Sequence, residues 1–189
     1  MNKKDILGII AEEKELYVGS NYAFQKRTLT KRYMIWKYLS CFRKTQYYKY
    51  LTKTTDGIVG ILSSVKYRCY SRKKNRLSSM CGVEIANGCS IGRRLDIWHS
   101  GVVINCNLGN DCVFHGNNIV GNKGIGRSEE KPCLGNNVDI GAGAVIIGNI
   151  KIADNCTIGA NAVVTKSFTE SGSVIVGIPG KLKSSQNNL

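Results

Sequence analysis

Two histidines, His99 and His115, stand sixteen positions apart in the stretch IWHSGVVINCNLGNDCVFHGNN, and the other 187 residues contain none. Histidine is the side chain whose ordinary titration lies near neutral pH, so a positioned imidazole can take a proton from a reacting group and return it. The plain alternative is a polar residue at a turn with no chemical task. Which reading applies depends on what holds the two, because the stretch around them is mostly Gly, Asn, Val and Ile.

Those neighbours follow a six-residue lattice. Leu134, Ile140, Ile146, Ile152, Ile158 and Val164 are in strict register; Val102, Leu108, Phe114 and Val120 form an earlier run, and Ile85, Ile91 and Ile97 precede it. The register slips twice, by five residues from Ile97 to Val102 and by fourteen from Val120 to Leu134. A period of six is neither helical nor that of a simple strand. It describes a short flat strand plus a corner, with the large aliphatic residue pointing inward and Gly, Asn or Asp accepting the tight corner backbone. Three units close a triangular coil, and coils stack at about 4.8 Å, so a residue near eighteen positions on lies above its predecessor. The fourteen-residue step, through GNKGIGRSEEKPC, is expected to be a loop thrown out at about 122–133. Cys89, Cys106, Cys112 and Cys156 occupy the fifth lattice position, where Val138, Ala144 and Ala162 stand in later units, and are read as small buried fillers.

The rest of the chain differs in kind. Of the formal charge of +14, residues 1–76 carry 18 Lys or Arg against 5 Asp or Glu, while residues 77–189 carry 9 against 8. Charge so segregated marks an anionic partner: a nucleic acid, a membrane face or an acidic glycan. The stretch YAFQKRTLTKRYMIWKYLSCFRKTQYYKYL has no Gly or Pro, and Tyr33, Trp36, Leu39, Tyr47 and Leu51 approximate one helical face. A second helix is expected through GIVGILSSVKYRCYSRKK. Apolar runs such as Ile6–Ala11 are too brief to span a bilayer, and no signal peptide is evident. The eight cysteines form no C-x-x-C pair and have no histidine at zinc-ligand spacing, so they read as reduced cytosolic thiols, and no metal site is expected. The organisation expected is a basic, aromatic helical segment (1–76), a repeat domain (77–184) and a short tail (185–189).

The repeats GVEIANGCSIG, HSGVVIN, VGNKGIGRSEEKPCLG, NNVDIGAGAVIIGNIKIADNCTIGANAVVTK and SVIVGIPGKL resemble the hexapeptide-repeat acyltransferases, in particular the branch of serine acetyltransferases and related polysaccharide O-acetyltransferases. The resemblance covers roughly residues 80–184. It implies a mainly β fold, a left-handed parallel β-helix of hexapeptide repeats behind a short α-helical N-terminal segment; the handedness comes from the family, since parallel crossovers are ordinarily right-handed. It also implies acetyl-CoA as co-substrate, a homotrimer, and a histidine base at the element H-x-x-G-I-V-I. Here that element reads HSGVVI, one residue shorter, which makes His99 the base. The family's orienting acid, fifteen positions earlier in G-I-D-I, falls on Glu84 of GVEI, on the neighbouring turn. The polysaccharide enzymes often carry H-Q-G-V-T-I-G where this chain has HGNNIVG, so His115 is expected to bind the acceptor or position the thioester. By position, the pantetheine arm would lie along Gly121, Ala142 and Ala160, with Lys166 near the nucleotide.

The departures bear on the acceptor. Serine acetyltransferases carry D-R-H-P in the loop, whereas this loop has EEKP, with Glu130 and Lys131 where Arg and His would stand. Trp98 replaces the acidic residue before the catalytic histidine, so Trp98 and Lys131 join His115 as acceptor-binding candidates. The large family helical domain is reduced to about 76 basic residues. On these grounds the sequence is read as a cytoplasmic acetyl-CoA-dependent O-acetyltransferase acting on a hydroxyl of a cell-surface polysaccharide or its precursor. The basic segment would touch the inner membrane face or an anionic glycan. The alternative is serine O-acetylation in cysteine synthesis. A non-enzymatic scaffold with a nucleic-acid-binding arm leaves Glu84 and His99 unexplained.

Overall fold

The computed structural model describes residues 2–124, 126–127 and 129–183. The chain divides into two compact units, one through Val83 and one from Glu84.

The first unit is helical. Helix α1 (Lys3–Val18) opens on a capping box in which Asn2 accepts from the Asp5 backbone N–H at 2.8 Å and Asp5 accepts from the Asn2 N–H at 3.3 Å, satisfying donors that a helix start leaves unpaired. The run without Gly or Pro is two helices rather than one, α2 (Tyr22–Thr28) and α3 (Lys31–Thr54). The break falls where Leu29 turns left-handed and Thr30 accepts from the Tyr33 N–H to cap α3, a competition between side chain and helix that hydroxyl residues commonly win at helix starts. Tyr33, Trp36 and Leu39 are buried and Tyr47 and Leu51 half-buried, as expected of one face; Ile35, Tyr38 and Phe42 are buried as well. The middle of α3 is covered so widely because it packs against both α1 and α4 (Gly57–Cys81). Inside that packing Arg43 of α3 meets Glu13 of α1 at 2.6 Å with almost no solvent exposure of either. Burial pushes the Glu13 carboxyl up, against the pull of Arg43. Helix α4 continues five residues beyond the expected boundary at 76, because Leu77 and Cys81 are still buried, and Gly82 ends it at φ 66°.

The second unit is the triangular coil. One face stacks β1 (Val83–Ile85), β3 (Val102–Ile104), β6 (Ile119–Gly121), β9 (Val145–Ile147) and β12 (Val163–Val164). A second face stacks β4 (Asn107–Leu108), β7 (Cys133–Leu134) and β10 (Lys151–Ile152), extended by single bridges at Ile91 and Phe168. The third stacks β2 (Asp96–Ile97), β5 (Val113–Phe114), β8 (Asp139–Ile140), β11 (Thr157–Ile158) and β13 (Val174–Val176), with β14 (Lys181–Leu182) antiparallel at its end. The chain visits the faces in the order one, two, three. The prism is filled by the lattice residues; on face three Ile97, Phe114, Ile140, Ile158 and Ile175 lie in register and are fully buried. Corner asparagines Asn117, Asn137, Asn155 and Asn161 take left-handed backbone, and side chains at the corners tie coils together, as where the Asn137 amide donates to Oδ1 of Asn155 at 3.0 Å and that of Asn155 to Ser171 at 3.2 Å.

The lattice needs one correction. On face one, Ile104, not Val102, stands in register with Val120. Val102 is also buried, but at the fifth-position filler site. The step from Ile97 to Ile104 is therefore seven residues, and the corner holding His99 is one residue longer than its counterparts in the coils above, not shorter. The mirror of this seven-then-four irregularity occurs at the other end, where Val164, Phe168 and Ile175 are the inward residues at steps of four and then seven, so that there the long corner joins faces two and three. The fourteen-residue step leaves the corner between faces one and two, from the end of β6 to the start of β7. The tail 185–189 lies outside the described residues.

Cys89, Cys106, Cys112 and Cys156 are buried fillers, and Cys41 and Cys81 are buried in the helical unit, whereas Cys69 and Cys133 are exposed. A thiol reagent should label two cysteines of the native protein quickly and the rest only on unfolding; rapid loss of more than two would contradict this packing. Burial pushes the Cys112 thiol from the ordinary 9.0 up to about 11. A group raised in this way supports the fold fully below its unfolded value, so that support is lost as pH climbs from about 9 to 11, which alkaline denaturation would follow.

Candidate active site

The corner between faces three and one gathers the sequence's candidates. In each coil it directly follows the inward residue of face three. Trp98 follows Ile97 and its N–H bonds Phe114; His115 follows Phe114 and its N–H bonds Ile140; Gly141 follows Ile140 and its N–H bonds Ile158. Trp98, His115, Gly141 and Gly159 therefore form one column. The next position holds Gly116, Ala142 and Ala160 in the upper coils, and in the first coil the extra corner residue makes it His99 and Ser100. A Cβ on Gly116 would come 2.6 Å from the Cβ of His99. His99 thus stands on a bulged corner, exposed, with its coil backbone against Gly116.

His115 is held on three sides. Its Nε2 lies 2.7 Å from Oδ1 of Asp139, one coil on. Both atoms are sealed from solvent, and a proton on Nε2 suits so close an approach to a carboxylate. With Nε2 carrying it, Nδ1 is left as the lone-pair nitrogen. Below, the Trp98 indole lies across the imidazole with centroids 4.3 Å apart at 32°, and its own N–H donates to Asp96 at 2.9 Å. Behind, the fully buried Asn118 accepts from the Gly116 N–H at 2.9 Å and donates to the Gly141 carbonyl at 2.8 Å, fixing the backbone that carries His115. Trp98 keeps 44% of its surface exposed, so one part of the indole braces His115 and the rest faces solvent.

The expected partner of His99 is elsewhere. The Ala86 N–H bonds the Ile104 carbonyl, which sets Glu84 beside Val103 on face one, four residues past His99 along the coil; among the described residues it makes no ion pair or hydrogen bond with His99. The lengthened corner is the reason. The carboxylate that does reach a histidine, Asp139, was missed: it is 24 residues from His115, and the loop between them hides that the two are on adjacent coils.

The remaining candidates separate onto two edges. Ala142 and Ala160 are exposed above the histidines, flanked by Gly141, Gly143 and Gly159. That strip has no side chain beyond a methyl group, so an extended thioester arm could lie against its backbone. Gly121, Lys166 and Lys131 are at the other border of face one, the corner from which the loop leaves. There Lys131 is half-buried and near enough to Cys89 to oppose the upward push of burial on that thiol, and Lys166 lies over the Phe168 ring. Between the borders, face one turns Val103, Ile119, Val145 and Val163 outward.

Residues 134–166 match the family model described as bacterial transferase hexapeptide (six repeats). The chain is 45% identical over 104 residues to a serine acetyltransferase of Staphylococcus aureus (strain Mu50), covering 53% of this chain and 48% of that protein. It is 40% identical over 129 residues to that of Staphylococcus xylosus, covering 62% and 59%. The chain thus spans about half the length of the curated relatives it matches. Among solved structures, Neisseria gonorrhoeae serine acetyltransferase aligns with a TM-score of 0.68 at 24% identity over 97% of this chain and 68% of that one. A soybean serine acetyltransferase complexed with serine aligns at 0.70 and 20%, over 96% and 70%. The fold is the left-handed β-helix of these proteins.

With two histidines in the chain, imidazole proton resonances read the corner directly. Asp139→Asn should move the His115 signal and leave that of His99, while Gly116→Ala should move His99 and cost about 1 kcal/mol or more, since a side chain is strained at that backbone angle. If Asp139→Asn left both signals in place, the pair would not exist in solution.

Proposed function

We propose that this chain, a hexapeptide-repeat protein of the serine acetyltransferase branch, transfers acetyl from acetyl-CoA to an acceptor hydroxyl at the corner that carries His99 and His115. The observation that carries the proposal is the convergence of two imidazoles, one of them braced by a carboxylate, at the foot of a strip of small residues. His99, exposed on its bulge, takes the hydroxyl proton as the new C–O bond forms and the C–S bond breaks, and returns it to the departing thiolate; such acid–base help is worth on the order of 10² to 10⁴ in rate. His115, with its tautomer fixed by Asp139, presents a lone pair that can accept from the acceptor and hold it in line. Ala142 and Ala160 would carry the pantetheine arm. Glu84 has no part in this scheme.

Gly121, Lys131 and Lys166 enter through assembly. Face one has an apolar outward row and a half-site on each border, so a cyclic contact between copies would set the loop edge of one copy against the histidine edge of the next. A homotrimer of this kind supplies both halves of the acetyl-CoA site.

Serine is the leading acceptor, because every relative described above is a serine acetyltransferase; none of them supports the polysaccharide reading. A sugar hydroxyl stays as a second reading on one observation, the exposed part of the Trp98 indole beside His115, a surface on which a sugar ring can stack.

Thioester cleavage measured with L-serine and with capsule-type oligosaccharides chooses between the two. Serine-dependent release of CoA thiol is expected, falling at least 100-fold in His99→Ala and about 10-fold in Asp139→Asn, with Glu84→Gln near the parent rate. No turnover of either acceptor would reject the proposal, and near-normal turnover in His99→Ala would reject the assignment of the base.

A further inference from the structure

Helix α4 presents one face that its own unit leaves uncovered. Ile58, Ile61, Leu62 and Val65 are 77%, 67%, 54% and 53% exposed, and at 100° per residue they lie on one side of the helix. Continued toward the C-terminus, the same side carries Arg68, Arg72 and Arg76, all exposed. The opposite side, with Ser63, Lys74, Leu77 and Cys81, is the buried one. Where the basic part ends, Arg72, Lys73 and Arg76 wall a groove of 460 Å³ whose other lining residues are Leu29, Met34, Leu77 and Met80. No helix among the described residues is long and apolar enough to cross a membrane.

We infer that this face seats the protein on an anionic bilayer surface. An apolar row continued by cations along one side of a helix can use such a surface at both ends: the aliphatic side chains enter the acyl boundary and the guanidinium groups, further along, pair with phosphates. The apolar groove walled by cations suits one lipid phosphate with its first methylenes. A nucleic acid would use the arginines and leave Ile58 to Val65 bare in water. A parallel second copy of the helix would bury the apolar row but set cations against cations, and an antiparallel one would leave the arginines overhanging without anionic partners, since α4 contains six Lys or Arg and no Asp or Glu. A bilayer carrying acidic lipids uses both rows. The inference does not depend on the acetyl-transfer proposal, whose site lies in the repeat unit.

The test is flotation of the full chain with vesicles of phosphatidylcholine alone or mixed with phosphatidylglycerol. Binding is expected to the mixed vesicles and not to the neutral ones, and to weaken in high salt. Each reversal among Arg68, Arg72 and Arg76 should lower the partition coefficient about fivefold or more, and Ile61→Asp with Leu62→Asp at least tenfold, with the far-ultraviolet dichroism unchanged. As a variant that keeps the face apolar, Leu62→Trp should show indole emission moving to the blue on mixed vesicles. Equal binding to neutral vesicles would overturn the inference. So would loss of binding in the arginine variants alone, which marks adhesion by charge as to nucleic acid, or a concentration-dependent self-association abolished by the aspartates in the absence of lipid, which marks a second copy as the occupant.

Discussion

Everything in the repeat unit follows from the requirement that each coil present its backbone N–H and C=O groups to the coil above and below while one large side chain per strand fills the prism. Strands of two or three residues cannot hold themselves; each is stable only as a rung, with both edges paired and its inward side chain between those of its neighbours. Register is therefore not adjustable locally. The rung from Ile97 through Phe114, Ile140 and Ile158 to Ile175 fixes which corner residues share a column, and so which functional side chains can meet. Glycines matter where coils approach too closely for a side chain: a Cβ on Gly109 would fall 2.5 Å from the Gly135 carbonyl oxygen.

That rigidity explains how one extra residue re-sorts the site. A corner of regular length in the first coil would put one residue, not two, below Gly116. With the longer corner, Trp98 stays in the backbone column and slides its indole over His115, while His99 is displaced outward. The cost is a bulge at the end of the stack, where there are few coils below to disturb. The result is two histidines of the same corner in different settings, one held by Asp139 and Trp98 and the other exposed.

Much of this was legible in the sequence. The six-residue period disclosed the coil, the loop and the buried cysteines, because an aliphatic residue at a fixed spacing has one physical explanation here. Two things were hidden. Val102 and Ile104 are both apolar and both buried, so the pattern alone could not say which one points along the rung, and choosing Val102 placed Glu84 near His99. Asp139 was hidden by the loop: once residues between Gly121 and Cys133 are set aside, the lattice puts it one coil above Val113 and diagonal to His115. In the helical unit, the Glu13–Arg43 pair left no periodic trace, since its members are thirty positions apart on different helices and charged residues ordinarily read as surface.

The central claim is that acetyl transfer takes place at the corner of faces three and one. Alkylation by chloroacetyl-CoA, mapped by mass spectrometry with and without excess acetyl-CoA, tests it most directly, because the reactive carbon sits where the acetyl carbonyl would. The account predicts modification of His99 or His115 that acetyl-CoA suppresses. Protected modification confined to residues remote from that corner, or labelling that acetyl-CoA does not suppress, would contradict it.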